Sequence, residues 1–100
     1  MIYLICYDIE SDKVRKKVHD KLQAEGLERI QYSVFLGPIS ERRKPIMSNW
    51  LEDKVKRSDN PRDKICILQV QPSDLEKIEL MGEYSLDIEM LTGKRNTLFF

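Results

Sequence analysis

Apolar residues occur along the chain in short blocks, and the spacing within a block differs from one block to the next. The first block, residues 2–8 (IYLICYD), is almost continuously apolar and predicts a strand buried on both faces. In the next segment, SDKVRKKVHDKLQAEG, apolar residues recur at every fourth position: Val14, Val18 and Leu22. That spacing predicts an amphipathic helix, with Ser11 as its N-terminal cap and Gly26 at its end.

The rest of the chain divides in the same way. The segment ERIQYSVFLGPI alternates apolar and polar residues and predicts either one bent strand or two very short ones. A second helix is predicted within SERRKPIMSNWLEDKVKRS, and Pro45 favours a start near Lys44. KICILQV predicts a further buried strand, residues 72–78 a short helical turn, YSLDIEML a final strand and TGKRNTLFF a tail.

This order of elements predicts an α+β domain with two helices on one face of a small antiparallel sheet, the ferredoxin-like plait (βαββαβ), with an extra C-terminal strand. One hundred residues fit a single domain, residues 1–100. The final strand would occupy an exposed sheet edge, and the tail ends in the apolar residues Leu98, Phe99 and Phe100. We therefore predict a homodimer in which residues 84–100 pack on the partner subunit.

Composition narrows the function classes only slightly. There are 17 Lys and Arg residues against 17 Asp and Glu, so net charge does not indicate a nucleic-acid partner. Cys6 and Cys66 lie in apolar runs without CxxC spacing, which favours two reduced core thiols over a zinc site. No apolar run reaches the ~18 residues of a membrane span, so a cytoplasmic protein without a membrane partner is expected.

Asp8 is the residue of greatest chemical interest, because it places a carboxylate at the end of an apolar strand. It is either a cap for the loop or helix that begins at Ser11, or a ligand for a hard cation such as Mg²⁺ or Mn²⁺. A single carboxylate is a weak site. A symmetry-related Asp8 from a second subunit, brought to the same cation, would complete it.

Basic residues lie close to Asp8 in the predicted elements. Arg15 and Lys16 are one to two turns into the helix that follows, and Arg29 begins the next strand, so they are candidates for binding phosphates beside a metal. The alternative is that KVRKK is the solvated face of an amphipathic helix. Tyr7 and Tyr32 either line a nucleic-acid groove or pack in the sheet.

Two motifs, YLICYDI and RIQYSVFLG, separated by a basic helix in a chain of this length, resemble the small CRISPR-associated protein of the spacer-acquisition machinery. This family is the compact partner of the CRISPR integrase and is also described as a CRISPR-associated endoribonuclease. The resemblance implies a ferredoxin-like homodimer with a metal-binding, catalytic carboxylate at Asp8 and Mg²⁺ or Mn²⁺ as cofactor. It further implies functional roles for side chains that correspond to Tyr7, Arg15, Arg29 and Phe35, with Lys17 where some members have arginine.

The resemblance leaves two functions to separate. In one, the dimer is a scaffold for antiviral spacer acquisition that binds DNA by charge and bridges integrase dimers. In the other, it is a metal-dependent endonuclease that hydrolyses RNA or DNA with Asp8 of both subunits. For either function the predicted nucleic-acid-binding residues are Tyr7, Arg15, Lys16, Lys17, Arg29 and Phe35.

Overall fold

The computed structural model describes residues 1–86 and 91, which contain four strands and three helices. The elements are β1 (Ile2–Asp8), α1 (Asp12–Ala24), β2 (Glu28–Gln31), β3 (Val34–Pro38), α2 (Lys44–Lys56), β4 (Lys64–Val70) and α3 (Pro72–Leu75). The described strands form one antiparallel sheet in the order β2-β3-β1-β4. The predicted α+β class and ferredoxin-like order are confirmed.

The first helix begins and ends where its sequence signals predict. The Ser11 hydroxyl accepts a hydrogen bond from the Val14 N–H at 3.3 Å, which satisfies a free donor of the first turn. Val18 and Leu22 are fully buried against the sheet. After the helix, Gly26 has a φ of +94°, a conformation that glycine adopts without strain.

The second helix starts at Lys44, as Pro45 predicted. A turn precedes it, in which the Ser40 hydroxyl accepts from the Arg43 N–H at 3.2 Å. Met47 and Leu51 face the sheet and are buried, and Trp50 packs partly buried beside them.

The segment between the two helices forms two short strands, which resolves the alternative left open by its pattern. Ser33, in the turn between β2 and β3, has a φ of 65°. The β2–β3 register also shifts between Arg29 and Gln31. A side chain at Gly37 in β3 would place its Cβ 3.0 Å from the Leu27 Cα, so the tight contact between this strand and the segment after α1 favours glycine.

The two helices α1 and α2 pack on one face of the sheet, and the other face is largely open. Tyr3, Ile5 and Tyr7 of β1 lie in the core under α1 and α2. The opposite face, here called the open face, consists of the alternate residues of β1 and their direct partners on β4: Ile2, Leu4, Cys6, Asp8, Val70, Leu68, Cys66 and Lys64. Leu75 and Leu86 pack over the Ile2 end of the open face, within a second apolar cluster.

The structure corrects the prediction that KICILQV forms a buried strand. Among the described strands β4 has a neighbour on one side only, and Leu68 is 55% exposed. Cys66 is likewise exposed, so the interpretation of both cysteines as core thiols was wrong for Cys66. An apolar run such as KICILQV does not by itself reveal whether its strand is central or at an edge.

The predicted final strand and tail fall largely outside the described residues, and the domain arrangement proposed for residues 84–100 stays a prediction. Within that range, the Tyr84 hydroxyl accepts a hydrogen bond from the Gln31 amide at 2.8 Å, which joins this segment to β2. None of the helices in the described part of the chain is long and apolar enough to cross a membrane.

Candidate functional site

Asp8 is the last residue of β1, exposed, on the open face of the sheet. Its direct partner across the ladder is Lys64, the first residue of β4. With Cys6, Tyr7 and Cys66 these two residues line a shallow cavity of about 190 Å³, here called the Asp8 pocket. Asp8 does not cap α1, because Ser11 does so, and its carboxylate makes no hydrogen bond with another described residue.

The Asp8 pocket offers one exposed carboxylate per chain. Among the described residues, no group of three or more His, Cys, Asp or Glu side chains is placed to hold a metal ion. An exposed carboxylate without a partner among the described residues suits Mg²⁺ or Mn²⁺, which keep several waters and accept few protein ligands. That a second copy of the chain supplies a further carboxylate stays a prediction.

Arg15 is held at the start of α1 by the loop that follows β1. Its guanidinium donates to the carbonyl oxygens of Ile9 at 3.0 Å and Glu10 at 3.4 Å, and it pairs with the Asp12 carboxylate. These contacts fix the direction of the side chain, so part of its hydrogen-bonding capacity supports the fold.

Tyr32 lies between two guanidinium groups in the turn between β2 and β3. The Arg29 guanidinium carbon lies 5.2 Å from the centre of the Tyr32 ring, and that of Arg15 lies 5.9 Å from it. The ring is 67% exposed, so Tyr32 is not a packing residue of the sheet. The sequence alone did not show that Tyr32 is exposed, because it did not decide between one bent strand and two short strands joined by a turn.

These side chains line a second cavity of about 200 Å³, here called the arginine pocket. Its lining residues are Tyr7, Asp12, Arg15, Lys16, His19, Arg29 and Tyr32. Two arginines and one lysine around an exposed aromatic ring form a surface suited to phosphate groups and nucleic-acid bases.

Tyr7 lines both pockets and is itself buried. Burial raises the pKa of its phenol, and the nearby Arg29 charge and a hydrogen bond with Ser33 oppose that shift without cancelling it. The hydroxyl is therefore neutral at physiological pH and can act as a hydrogen-bond donor.

The structure brings together some of the predicted site residues and separates others. Arg15, Lys16, Arg29 and Tyr7 share the arginine pocket, whereas Asp8 lies in the other pocket. Lys17 is exposed on α1 and lines neither pocket. The separation follows from strand alternation, because Tyr7 faces the helices and Asp8 the open face.

Phe35 is fully buried. Its ring stacks on Tyr7, with centroids 6.3 Å apart, and meets the edge of His19 at 5.4 Å. Phe35 thus packs against Tyr7 and His19, two residues that line the arginine pocket, and its predicted role in nucleic-acid binding stays a prediction.

Lys64 and the thiol of Cys66 were not predicted as neighbours of Asp8. Both come from β4, which is distant from Asp8 in sequence, and only the register between β1 and β4 places them beside it. The strand pattern could have suggested that these strands pair, but not with which register.

Comparison with known proteins gives a consistent result. A sequence profile of the family described as "CRISPR associated protein Cas2" matches residues 1–78. The chain is 37% identical over 81 residues to "CRISPR-associated endoribonuclease Cas2 1" of Methanospirillum hungatei, across 80% of this chain and 81% of that protein. It is 47% identical over 57 residues to "CRISPR-associated endoribonuclease Cas2 2" of Pyrobaculum aerophilum, across 57% of this chain and 58% of that protein.

Solved structures show the same architecture. The crystal structure of Streptococcus pyogenes Cas2 at pH 6.5 matches with a TM-score of 0.69 at 21% identity, across 82% of this chain and 100% of that chain. A hypothetical protein, TT1823 from Thermus thermophilus, matches with a TM-score of 0.63 at 28% identity, across 85% of this chain and 94% of that chain.

Proposed function

The chain belongs to the CRISPR-associated protein Cas2 family, and from this membership we propose that it acts in CRISPR spacer acquisition as a homodimeric scaffold. In this role the dimer binds DNA through its basic surface and bridges dimers of the CRISPR integrase. One observation carries the proposal: Arg15 and Arg29 line the arginine pocket, whereas Asp8 lines the Asp8 pocket. Cations that lie apart from the exposed carboxylate suit a surface that holds phosphates.

The arginine pocket supports binding that does not depend on sequence. Arg29 and Lys16 are exposed, and guanidinium and ammonium groups contact phosphate oxygens irrespective of the bases. The carboxylate in this pocket, Asp12, is already paired with Arg15 and leaves the local charge positive. Lys17, exposed on the same helix, adds a positive charge outside this pocket.

The open face supports the homodimer. It exposes Leu68 and Cys66, and α1 and α2 lie on the other side of the sheet. A second copy packed on this face would bury that apolar surface. Because Asp8 belongs to the same face, a two-fold axis there would bring two Asp8 carboxylates towards each other.

The second candidate function is a metal-dependent endonuclease, and the names of the relatives from Methanospirillum hungatei and Pyrobaculum aerophilum favour it, since both are called endoribonucleases. Asp8 from each subunit would hold Mg²⁺ or Mn²⁺. When bound, such a cation polarises a phosphodiester and lowers the pKa of a coordinated water. The chain's own contribution would be the two carboxylates and the phosphate contacts of the arginine pocket.

The two functions are separated by Asp8→Ala, with Asp59→Ala as the matched control because Asp59 is an exposed carboxylate in the loop before β4. Each variant is assayed for dimer mass, for binding of duplex DNA, for Mg²⁺-dependent cleavage of RNA and DNA, and for uptake of new spacers in cells. The scaffold function predicts that Asp8→Ala keeps its dimer, its DNA binding and its spacer uptake.

Loss of spacer uptake together with loss of cleavage, in a variant that stays dimeric and folded, would overturn the scaffold function in favour of the nuclease. Cleavage that persists in Asp8→Ala would contradict the assignment of Asp8 as the catalytic metal ligand.

A further inference from the structure

Cys6 and Cys66 are direct partners in the antiparallel ladder between β1 and β4, and both are free thiols. Directly opposed residues of antiparallel strands have Cα atoms roughly 4.5–5.5 Å apart and side chains on the same face. A disulfide requires a Cα separation of about 4.4–6.8 Å. The register of the sheet therefore places the Cα atoms of these two residues in the range that a disulfide spans.

The two thiols differ in their surroundings. Cys66 is exposed, whereas Cys6 is half-buried, and burial followed by the neighbouring Cys66 raises the pKa of the Cys6 thiol. An oxidant from solvent would meet Cys66 first, with Cys6 positioned to react second.

We propose that Cys6 and Cys66 form a reversible modification site, a cross-strand dithiol that small-molecule disulfides oxidise to an intrachain disulfide. The Cys66 thiolate attacks one sulfur of the disulfide, forms a mixed disulfide and releases the first small-molecule thiol. The Cys6 thiolate then attacks the Cys66 sulfur, forms the intrachain bond and releases the second small-molecule thiol. The two protons of the cysteines end on the two released thiols, so the protein is oxidised by two electrons and the reagent is reduced by two.

The bond would tie the edge strand β4 to the central strand β1 beside Asp8. Because Cys6 and Cys66 both line the Asp8 pocket, oxidation alters the wall of that pocket as well. The reaction takes place within one subunit and depends neither on nuclease activity nor on integrase binding, but it needs Cys66 uncovered, so it competes with the homodimer of the proposed function.

The test uses the purified full-length chain and oxidised glutathione as the probe. After reaction, remaining thiols are blocked by alkylation and the intact mass is measured. We expect wild type to lose both thiols, to retain no glutathione, to migrate as a single chain without reductant, and to return to the dithiol form with dithiothreitol. The Tm of the oxidised form should exceed that of the reduced form by roughly 10 °C, because the bond closes a long loop of the unfolded chain.

Two matched variants follow the order of attack. Cys6→Ser should stop at a glutathione adduct on Cys66, and Cys66→Ser should react at least tenfold more slowly because Cys6 is half-buried. The assay is run at low and high protein concentration, because a second copy on the open face would slow the first attack without changing its product.

A wild-type product that keeps glutathione on Cys66 beside a free Cys6 thiol, or that consists of cross-linked chains, would overturn the proposal. Such a result would leave the scaffold and nuclease functions unaffected, since neither involves the thiols.

Discussion

The backbone N–H of Glu10 donates a hydrogen bond of 3.0 Å to the Asp63 carboxylate, and this contact joins the loop that leaves Asp8 to the loop that enters Lys64. The Ser58 hydroxyl donates to the other oxygen of the same carboxylate. Asp63 is only 7% exposed, and these two hydrogen bonds, with that of Ser58 the stronger influence, lower the pKa of its carboxyl group. The carboxylate thereby holds together the chain segments on both sides of the Asp8 pocket.

Asp63→Asn should lower the Tm by roughly 5 °C at neutral pH, because an amide replaces one of the two acceptor oxygens with a donor. A lowered native-state pKa means that the ionised group stabilises the fold above the unfolded-state pKa of about 4, and that this contribution is lost as pH falls through the native value. The difference in Tm between wild type and variant should therefore shrink below about pH 4. Calorimetry over a pH series measures this difference in Tm, with Asp59→Asn as the control. A difference independent of pH would contradict a stabilising role for the ionised Asp63 carboxylate.

Arg29→Ala should weaken duplex DNA binding while leaving the Tm within about 2 °C of wild type, because Arg29 is exposed. The slope of the logarithm of the affinity against the logarithm of salt concentration should fall by about one for each phosphate contact removed. Arg42→Ala, which removes an exposed arginine from the turn before α2, is the matched control. Equal losses for both variants would show that only overall charge matters.

Phe35→Leu should lower the free energy of unfolding by about 1–2 kcal/mol, because the ring is fully buried against Tyr7 and His19. DNA affinity of the folded variant should stay within about twofold of wild type, since a buried ring offers no surface to a phosphate or base. Tyr32→Leu is the matched exposed aromatic and should do the reverse, with little change in stability and weaker binding. Urea titration measures the stability of both variants, and fluorescence anisotropy measures their affinity for DNA. Weaker DNA binding by Phe35→Leu together with lower stability of Tyr32→Leu would contradict the placement of both rings.

Leu68→Lys should dissociate the proposed dimer, because Leu68 is an exposed apolar residue of the open face, and burying a lysine ammonium there is unfavourable. Ile46→Lys introduces the same charge at an exposed apolar position of α2, on the other side of the sheet, and should leave the mass unchanged. Sedimentation equilibrium over a concentration series measures the mass of each variant and shows whether it is a monomer or a dimer. A Leu68→Lys protein that remains dimeric would place the interface elsewhere.

Local patterns predicted the elements well because each depends on its own residues. The spacing of Val14, Val18 and Leu22 at every fourth residue, with the cap at Ser11, determines α1, and the apolar residues 65–68 determine the centre of β4. The strand order could be predicted only through the known plait architecture, which the order of the elements indicated.

The candidate site was predicted less completely, because its geometry depends on relationships between elements. Tyr7 and Asp8 are adjacent in sequence, yet they face opposite sides of the sheet, and the covered side depends on where α1 and α2 pack. The burial of Phe35 and the exposure of Cys66 depend in the same way on pairing and helix packing, which no single segment encodes.

The central position of β1 has a consequence for synthesis. One of its two neighbours, β3, ends at Pro38, but the other, β4, is complete only at Val70. During synthesis on the ribosome, β1 can therefore pair with β3 first. The backbone groups on its other edge have no hydrogen-bond partner from β4 until most of the polypeptide has been made. Nascent chains stopped before Lys64 should accordingly expose the unpaired edge of β1, to which chaperones can bind until β4 has been synthesised.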